Sequence, residues 1–157
     1  MRQLYDHESF RIIFDSWGEA DSKEVAQLLD LVLSEFYIHL DRVKIPNKQV
    51  HITSSSARIP PADYSDIFNI KAFAFMYLSA KDRNWSQYVL EFSHELCHFI
   101  IDSENYNKQH KFGWIEESLC ELASWFVIHE INIGWQIFPP IDEFQEFASS
   151  LKGYADN

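Results

Sequence analysis

The sequence predicts an α+β fold, a mostly helical single domain spanning residues 1–157 with a small sheet beside two of its helices. Three observations carry that expectation. Apolar residues recur at helical spacing over three long segments. Two shorter segments are rich in β-branched and aromatic residues and are bounded by turn formers. Only 4 Gly and 5 Pro punctuate the chain, so long helices meet few breaks. With 46% hydrophobic and 24% charged residues, a chain of 157 can bury a core without help from disulfides.

The elements follow in order. Ser22 offers an N-cap hydroxyl, and Val25, Leu28, Leu29, Val32, Leu33, Phe36 and Leu40 share one face, which predicts a helix over 22–42. Ile45-Pro46-Asn47-Lys48 breaks it. Residues 49–53 form a short strand, 54–64 a loop containing Pro60-Pro61, and 71–80 a second strand around Ala72-Phe73-Ala74-Phe75-Met76-Tyr77, with two to four strands expected in all. After a turn at 81–84, helices are predicted over 86–102 and 114–133, separated by a polar loop over 103–113. Beyond Pro139-Pro140, residues 141–151 read as a final amphipathic helix.

Lys plus Arg number 13 and Asp plus Glu 24, a net charge of −11. Without a basic stripe, neither nucleic acid nor an anionic membrane is an expected partner. The opening Met1-Arg2-Gln3-Leu4-Tyr5-Asp6-His7-Glu8 has no apolar signal core, and no run of about 18 apolar residues suits a bilayer span. The two cysteines, Cys97 and Cys120, make no disulfide framework and read as small core residues, so the cytoplasm is the expected compartment.

The informative string is Glu91-Phe92-Ser93-His94-Glu95-Leu96-Cys97-His98. On a helix, His94 and His98 lie one turn apart and can aim two imidazoles at one ion. With His94 at zero, Gln87, His98, Glu91, Asp102 and Glu95 fall within about 100° of it, and apolar side chains occupy the rest of the wheel. Burying such a polar wedge without partners costs several kcal/mol, and a metal in a wet cleft supplies them. Glu95, about 100° round from His94, stands where a base beside a metal-bound water belongs. A zinc site needs a third protein ligand. On the helix that follows, Glu117 and Glu121 share a face with Trp114, Trp125 and Ile128, whereas Glu116 points towards Ala123 and Glu130, the side expected to face solvent. Glu117 is therefore the expected ligand, and Glu121 an outer acceptor for a ligand imidazole N–H.

His94-Glu95-Leu96-Cys97-His98, then residues 99–116, then Glu117 with Glu121 one turn on, is similar to the gluzincin metallopeptidases, and Trp114 matches a Trp their aminopeptidase branch carries three residues before the ligand Glu. The resemblance covers roughly residues 70–130. It implies a zincin-like fold, Zn2+ held by His94, His98 and Glu117, Glu121 behind them, and Glu95 as general base for hydrolysis of a peptide or protein substrate through a metal-bound water. It also implies that the strand over 72–80 is the sheet edge aligning an extended peptide. Ser118 stands where those aminopeptidases often have Gly, and their upstream Gly-x-Met-Glu-Asn stretch is absent, so aminopeptidase activity is not expected. A second zinc-protease pattern, that of SprT-like proteases, would use His110 as third ligand and accommodates Cys97. Two further readings are a zinc-binding interaction module without turnover and a metal-free helical interaction domain. For an oxyanion donor the chain offers His110, Tyr106, His129 and Tyr154, and the sequence does not choose among them.

Overall fold

The computed structural model describes residues 4–6, 10–13, 17–39, 49–57, 65–70, 73–103 and 113–137. The predicted helix over 141–151 and the loop over 104–112 lie outside them. The fold is α+β, as the sequence predicts. Helices of 18, 19 and 25 residues, α1 (Ser22–His39), α2 (Trp85–Ser103) and α3 (Gly113–Ile137), accompany five short strands. The strands are β1 (Leu4–Asp6), β2 (Phe10–Ile13), β3 (Gln49–Ser54), β4 (Asp66–Ile70) and β5 (Phe73–Leu78). No helix among the described residues is long and apolar enough to cross a membrane.

The sheet has the order β1-β2-β3-β5-β4. Its centre is parallel, β2 on β3 and β3 on β5, and antiparallel strands close both sides. The register aligns Phe10, Val50 and Ala74 across one rung and Ile12, Ile52 and Met76 across the next, all buried. Arg11, His51 and Phe75, on the rung between, point to the other face and are half-buried. This period of two places the apolar core on one face of the sheet. Phe92, Leu96 and Phe99 of α2 meet Phe10, Val50 and Met76 there, with Leu33 of α1 closing the layer.

Three expectations are corrected. β5 is not the sheet edge: β4 pairs antiparallel with its outer side, from Asp66↔Tyr77 to Ile70↔Phe73, so among the described residues β4 is the outermost strand on that side. Five strands exceed the two to four expected, and β1, β2 and β4 have no sequence signature because they are only three to five residues long, too short to display a period. The N-cap of α1 is Asp21 rather than Ser22. Its carboxylate accepts the Lys23 N–H at 2.7 Å while Glu24 reaches back to the Asp21 N–H at 3.3 Å, a reciprocal capping box.

The turn from β5 into α2 is tied down twice. Asp82, at φ +54°, donates its N–H to the Trp17 carbonyl and accepts the Glu19 N–H. Gly18, at φ +69°, lies against it, and a Cβ there would overlap the Asp82 carboxylate. On the other side, the Glu91 carboxylate accepts the N–H groups of Ser79 and Ala80, the Ser79 hydroxyl and the Gln87 amide. Two members of the polar wedge on α2, Gln87 and Glu91, therefore hold the entry to the helix rather than an ion. Gly18→Ala should destabilise the fold by about 2 kcal/mol, from strain at positive φ plus the displaced carboxylate. Urea unfolding measures it, and an unchanged midpoint would show that this turn does not constrain α2.

Candidate metal centre

The apolar side of α2 lies on the sheet, so the opposite side, which carries His94 and His98, faces α3. His94 meets Glu117 and Glu121 while His98 meets Glu116 and Glu117, so the two helices run in opposite senses past the site. The rings are part-buried, with side chains 20% and 13% exposed. Their Nε2 atoms are 3.1 Å apart, and one Glu117 oxygen, Oε2, lies 3.4 Å from each. A tetrahedral zinc with bonds of about 2.0–2.1 Å has ligand–ligand edges of about 3.3–3.4 Å. The triangle of His94 Nε2, His98 Nε2 and Glu117 Oε2 could therefore hold such an ion, and the Glu117 side chain is 65% exposed.

The outer ring of partners sets the tautomers. His98 Nδ1 is 2.9 Å from Glu116 Oε1, and so donates its proton to that carboxylate. His94 Nδ1 is closed off from solvent without a hydrogen-bond partner, and the Glu121 carboxylate lies 3.6 Å from it. Glu121 is in turn held by the Trp125 indole N–H at 2.8 Å. With a proton on each Nδ1, both Nε2 lone pairs and a carboxylate oxygen point at one spot. Three acceptors in such proximity repel unless a cation or a proton sits among them.

The electrostatics say which ring takes that proton. Burial lowers the pKa of His94, and the neighbouring His98 lowers it further, against the pull of Glu117 and Glu121. Burial also acts to lower that of His98, but the hydrogen bond to Glu116 and the charges of Glu117, Glu95 and Glu116 outweigh it, so the net shift is upward. A proton on His98 Nε2 and a metal ion thus compete for the same point.

The structure brings His94, His98, Glu117 and Glu121 together. Glu95 is buried, and its charge acts on His98. Glu116 departs from expectation: it faces α2 rather than solvent, with a side chain only 14% exposed. The packed side of α3 is centred on Cys120, Ser124, Ile131 and Trp135, not on Glu117. Glu116 and Glu117 flank that line, one on either side, and each reaches an imidazole. A signal for this was present, because two ligand imidazoles need two outer acceptors and Glu121 supplies one. Trp125, one turn beyond Glu121, was likewise legible as its partner. His129 is exposed, on a side of α3 away from Glu117. Tyr106, His110 and Tyr154 lie outside the described residues. Cys97 and Cys120 hydrogen-bond across the α2–α3 interface, which pulls the Cys97 thiol below its ordinary value and, with burial, pushes the Cys120 thiol up.

No family model, curated protein or solved structure matches the chain. The capacity to hold a metal therefore rests on the geometry of its own side chains.

Two outcomes are expected in zinc competition titrations against a chelating dye. Glu116→Gln should weaken binding about 10- to 100-fold, because the His98 ring loses its charged anchor, and Glu117→Ala should weaken it at least as much. Unchanged affinity in Glu117→Ala would remove Glu117 from the site. In the same assay zinc affinity should be level above the folded pKa of His98 and fall about tenfold per pH unit below it, once each bound ion must displace a proton. For the metal-free protein the sign is opposite. The raised His98 pKa adds stability below the ordinary value of 6.5, and that contribution is lost as pH rises through the folded value.

Proposed function

We propose that the protein is a zinc-dependent peptidase, a minimal relative of the gluzincins, with His94, His98 and Glu117 as ligands and Glu95 as general base. The observation that carries this reading is the triangle of two Nε2 atoms and one carboxylate oxygen with sides of 3.1, 3.4 and 3.4 Å. A zinc ion held there would supply Lewis-acid polarisation of a carbonyl and would acidify water towards a pKa of about 7.

The chain's own residues do the rest. Glu116 keeps a proton on His98 Nδ1, so that the His98 Nε2 lone pair faces the ligand point, and Glu121 is the nearest carboxylate to His94 Nδ1. Glu95, next to His94 and buried, offers a carboxylate that accepts a proton from the attacking water and returns it to the departing amine. Burial limits competing hydration of that carboxylate. The Glu117 side chain is 65% exposed, which is compatible with access from solvent on that side. β4, the outermost strand on that side among the described residues, is the candidate for the aligning role first expected of the strand over 72–80.

The test separates the metal from the chemistry. Protein purified without added metal should carry close to one equivalent of zinc by elemental analysis and should cleave members of a mixed peptide library, with cleavage abolished by a chelator. Glu95→Gln should retain the zinc and lose cleavage by about 100-fold or more. Full zinc with no cleavage in the wild type would make this a metal-binding interaction module. Cleavage that survives Glu95→Gln would exclude Glu95 as the base.

A further inference from the structure

The chain has two cysteines, and the fold sets them against each other beside the ligand triangle. Cys97 directly precedes His98 on α2 and lies about 60° round the helix from His94. Cys120 follows Glu116 by four residues and Glu117 by three, so it shares their side of α3. It stands at the centre of the packed side of that helix, with no exposed surface. Glu116 reaches His98 at 2.9 Å, which brings the turns carrying the two thiols opposite one another. The thiols hydrogen-bond across the interface, and both are free, Cys120 buried and Cys97 half-buried. Small apolar side chains would fill the same space, but two thiols in contact can also join.

We infer that Cys97 and Cys120 form a reversible disulfide that joins α2 to α3 and thereby controls the metal site. The co-reactant is a peroxide. The Cys97 sulfur, the one that solvent reaches, attacks one peroxide oxygen. The O–O bond breaks, the other oxygen leaves as water with the thiol proton, and Cys97 becomes a sulfenic acid. The Cys120 sulfur then attacks the Cys97 sulfur. The S–S bond forms, the S–O bond breaks, and hydroxide departs with the Cys120 proton as a second water. The two sulfurs give up two electrons, and the peroxide takes both. A covalent bond between sulfurs is shorter than a hydrogen bond between them, so closing it draws the two turns together. His98 is next to one sulfur and Glu117 within a turn of the other, and their triangle with His94, at 3.1, 3.4 and 3.4 Å, already has the spacing that zinc requires. Displacing one helix against the other spoils that fit, and by linkage a bound ion disfavours the disulfide to the same degree. The control of the metal rests on the zinc site proposed above, whereas the disulfide does not.

The test treats the protein as purified with a small excess of hydrogen peroxide and then returns a portion to a phosphine reductant. The intact mass should fall by two hydrogens, proteolytic mapping should join the Cys97 and Cys120 peptides, and the reductant should reverse both changes. Cys120→Ser should stop at a Cys97 sulfenic acid that dimedone traps. Cys97→Ser should give neither product, because Cys120 is buried. In dye competition titrations the oxidised wild type should bind zinc about tenfold or more weakly than the reduced protein, and Cys97→Ser should bind it alike before and after peroxide. Oxidation of Cys97 to a sulfinic acid with no disulfide in the wild type, a disulfide that links two chains, or equal zinc affinity in the two states would each overturn the inference. Zinc absent from the reduced protein would overturn the peptidase reading and the control of a metal, with the disulfide itself decided by mass alone.

Discussion

Two imidazoles on one helix and a carboxylate on another come to within 3.4 Å of each other, and all three present lone pairs. That meeting is the constraint on which the rest of the molecule turns. It is tolerable only with positive charge at the centre. The hydrogen bond to Glu116 and the charges of Glu117, Glu95 and Glu116 raise the pKa of His98, which eases protonation of that ring in the metal-free protein. A divalent cation would meet that need too, and His94, His98 and Glu117 are the residues that could hold one. The outer carboxylates are what prevent relaxation. If either ring turned its Nδ1 lone pair outward, that lone pair would face Glu116 or Glu121. The arrangement is thus held from behind as well as from within.

The remainder of the fold delivers those groups. The sheet buries a single face, and α2 lies on it through Phe92, Leu96 and Phe99, which turns His94 and His98 towards α3. The rotation of α2 about its own axis decides whether the two rings meet α3 at all. That rotation is set at the helix entry, where Glu91 gathers the N–H groups of Ser79 and Ala80 and Asp82 bonds back to Trp17. The polar wedge of α2 thereby divides into two tasks. Its N-terminal part, with Gln87 and Glu91, locks the helix to the end of β5, and the part that follows presents His94 and His98, which could hold a metal ion. Carboxylates that look alike on a helical wheel take these different roles because different backbones lie opposite them.

Much of this was legible before any coordinates. The three helices show a clear 3.6-residue period, and β3 and β5 are long enough to read. His94, Glu95 and His98 announce themselves by spacing, and Glu117 follows from the need for a third ligand on a neighbouring helix. The short strands were not legible. Asp66-Ile67-Phe68-Asn69-Ile70 carries too few residues to separate a strand from a loop, and its pairing partner is what makes it one. Glu116 was misplaced because a wheel centred on Glu117 assumes that Glu117 marks the middle of the packed side. The middle lies nearer Cys120 and Ser124, and from there both glutamates are within reach of α2.

Taken alone, then, the sequence determined which segments are helical, that two imidazoles share one face, and that a carboxylate lies on the next helix to meet them. These are consequences of local periodicity, in which each residue's direction follows from its neighbours along the chain. Tertiary structure decided which glutamate meets which ring and, among the described residues, which strand lies outermost in the sheet. Those depend on how far each element is rotated against its partners, and an isolated period leaves that rotation free. Only the packing of all the layers together selects one angle.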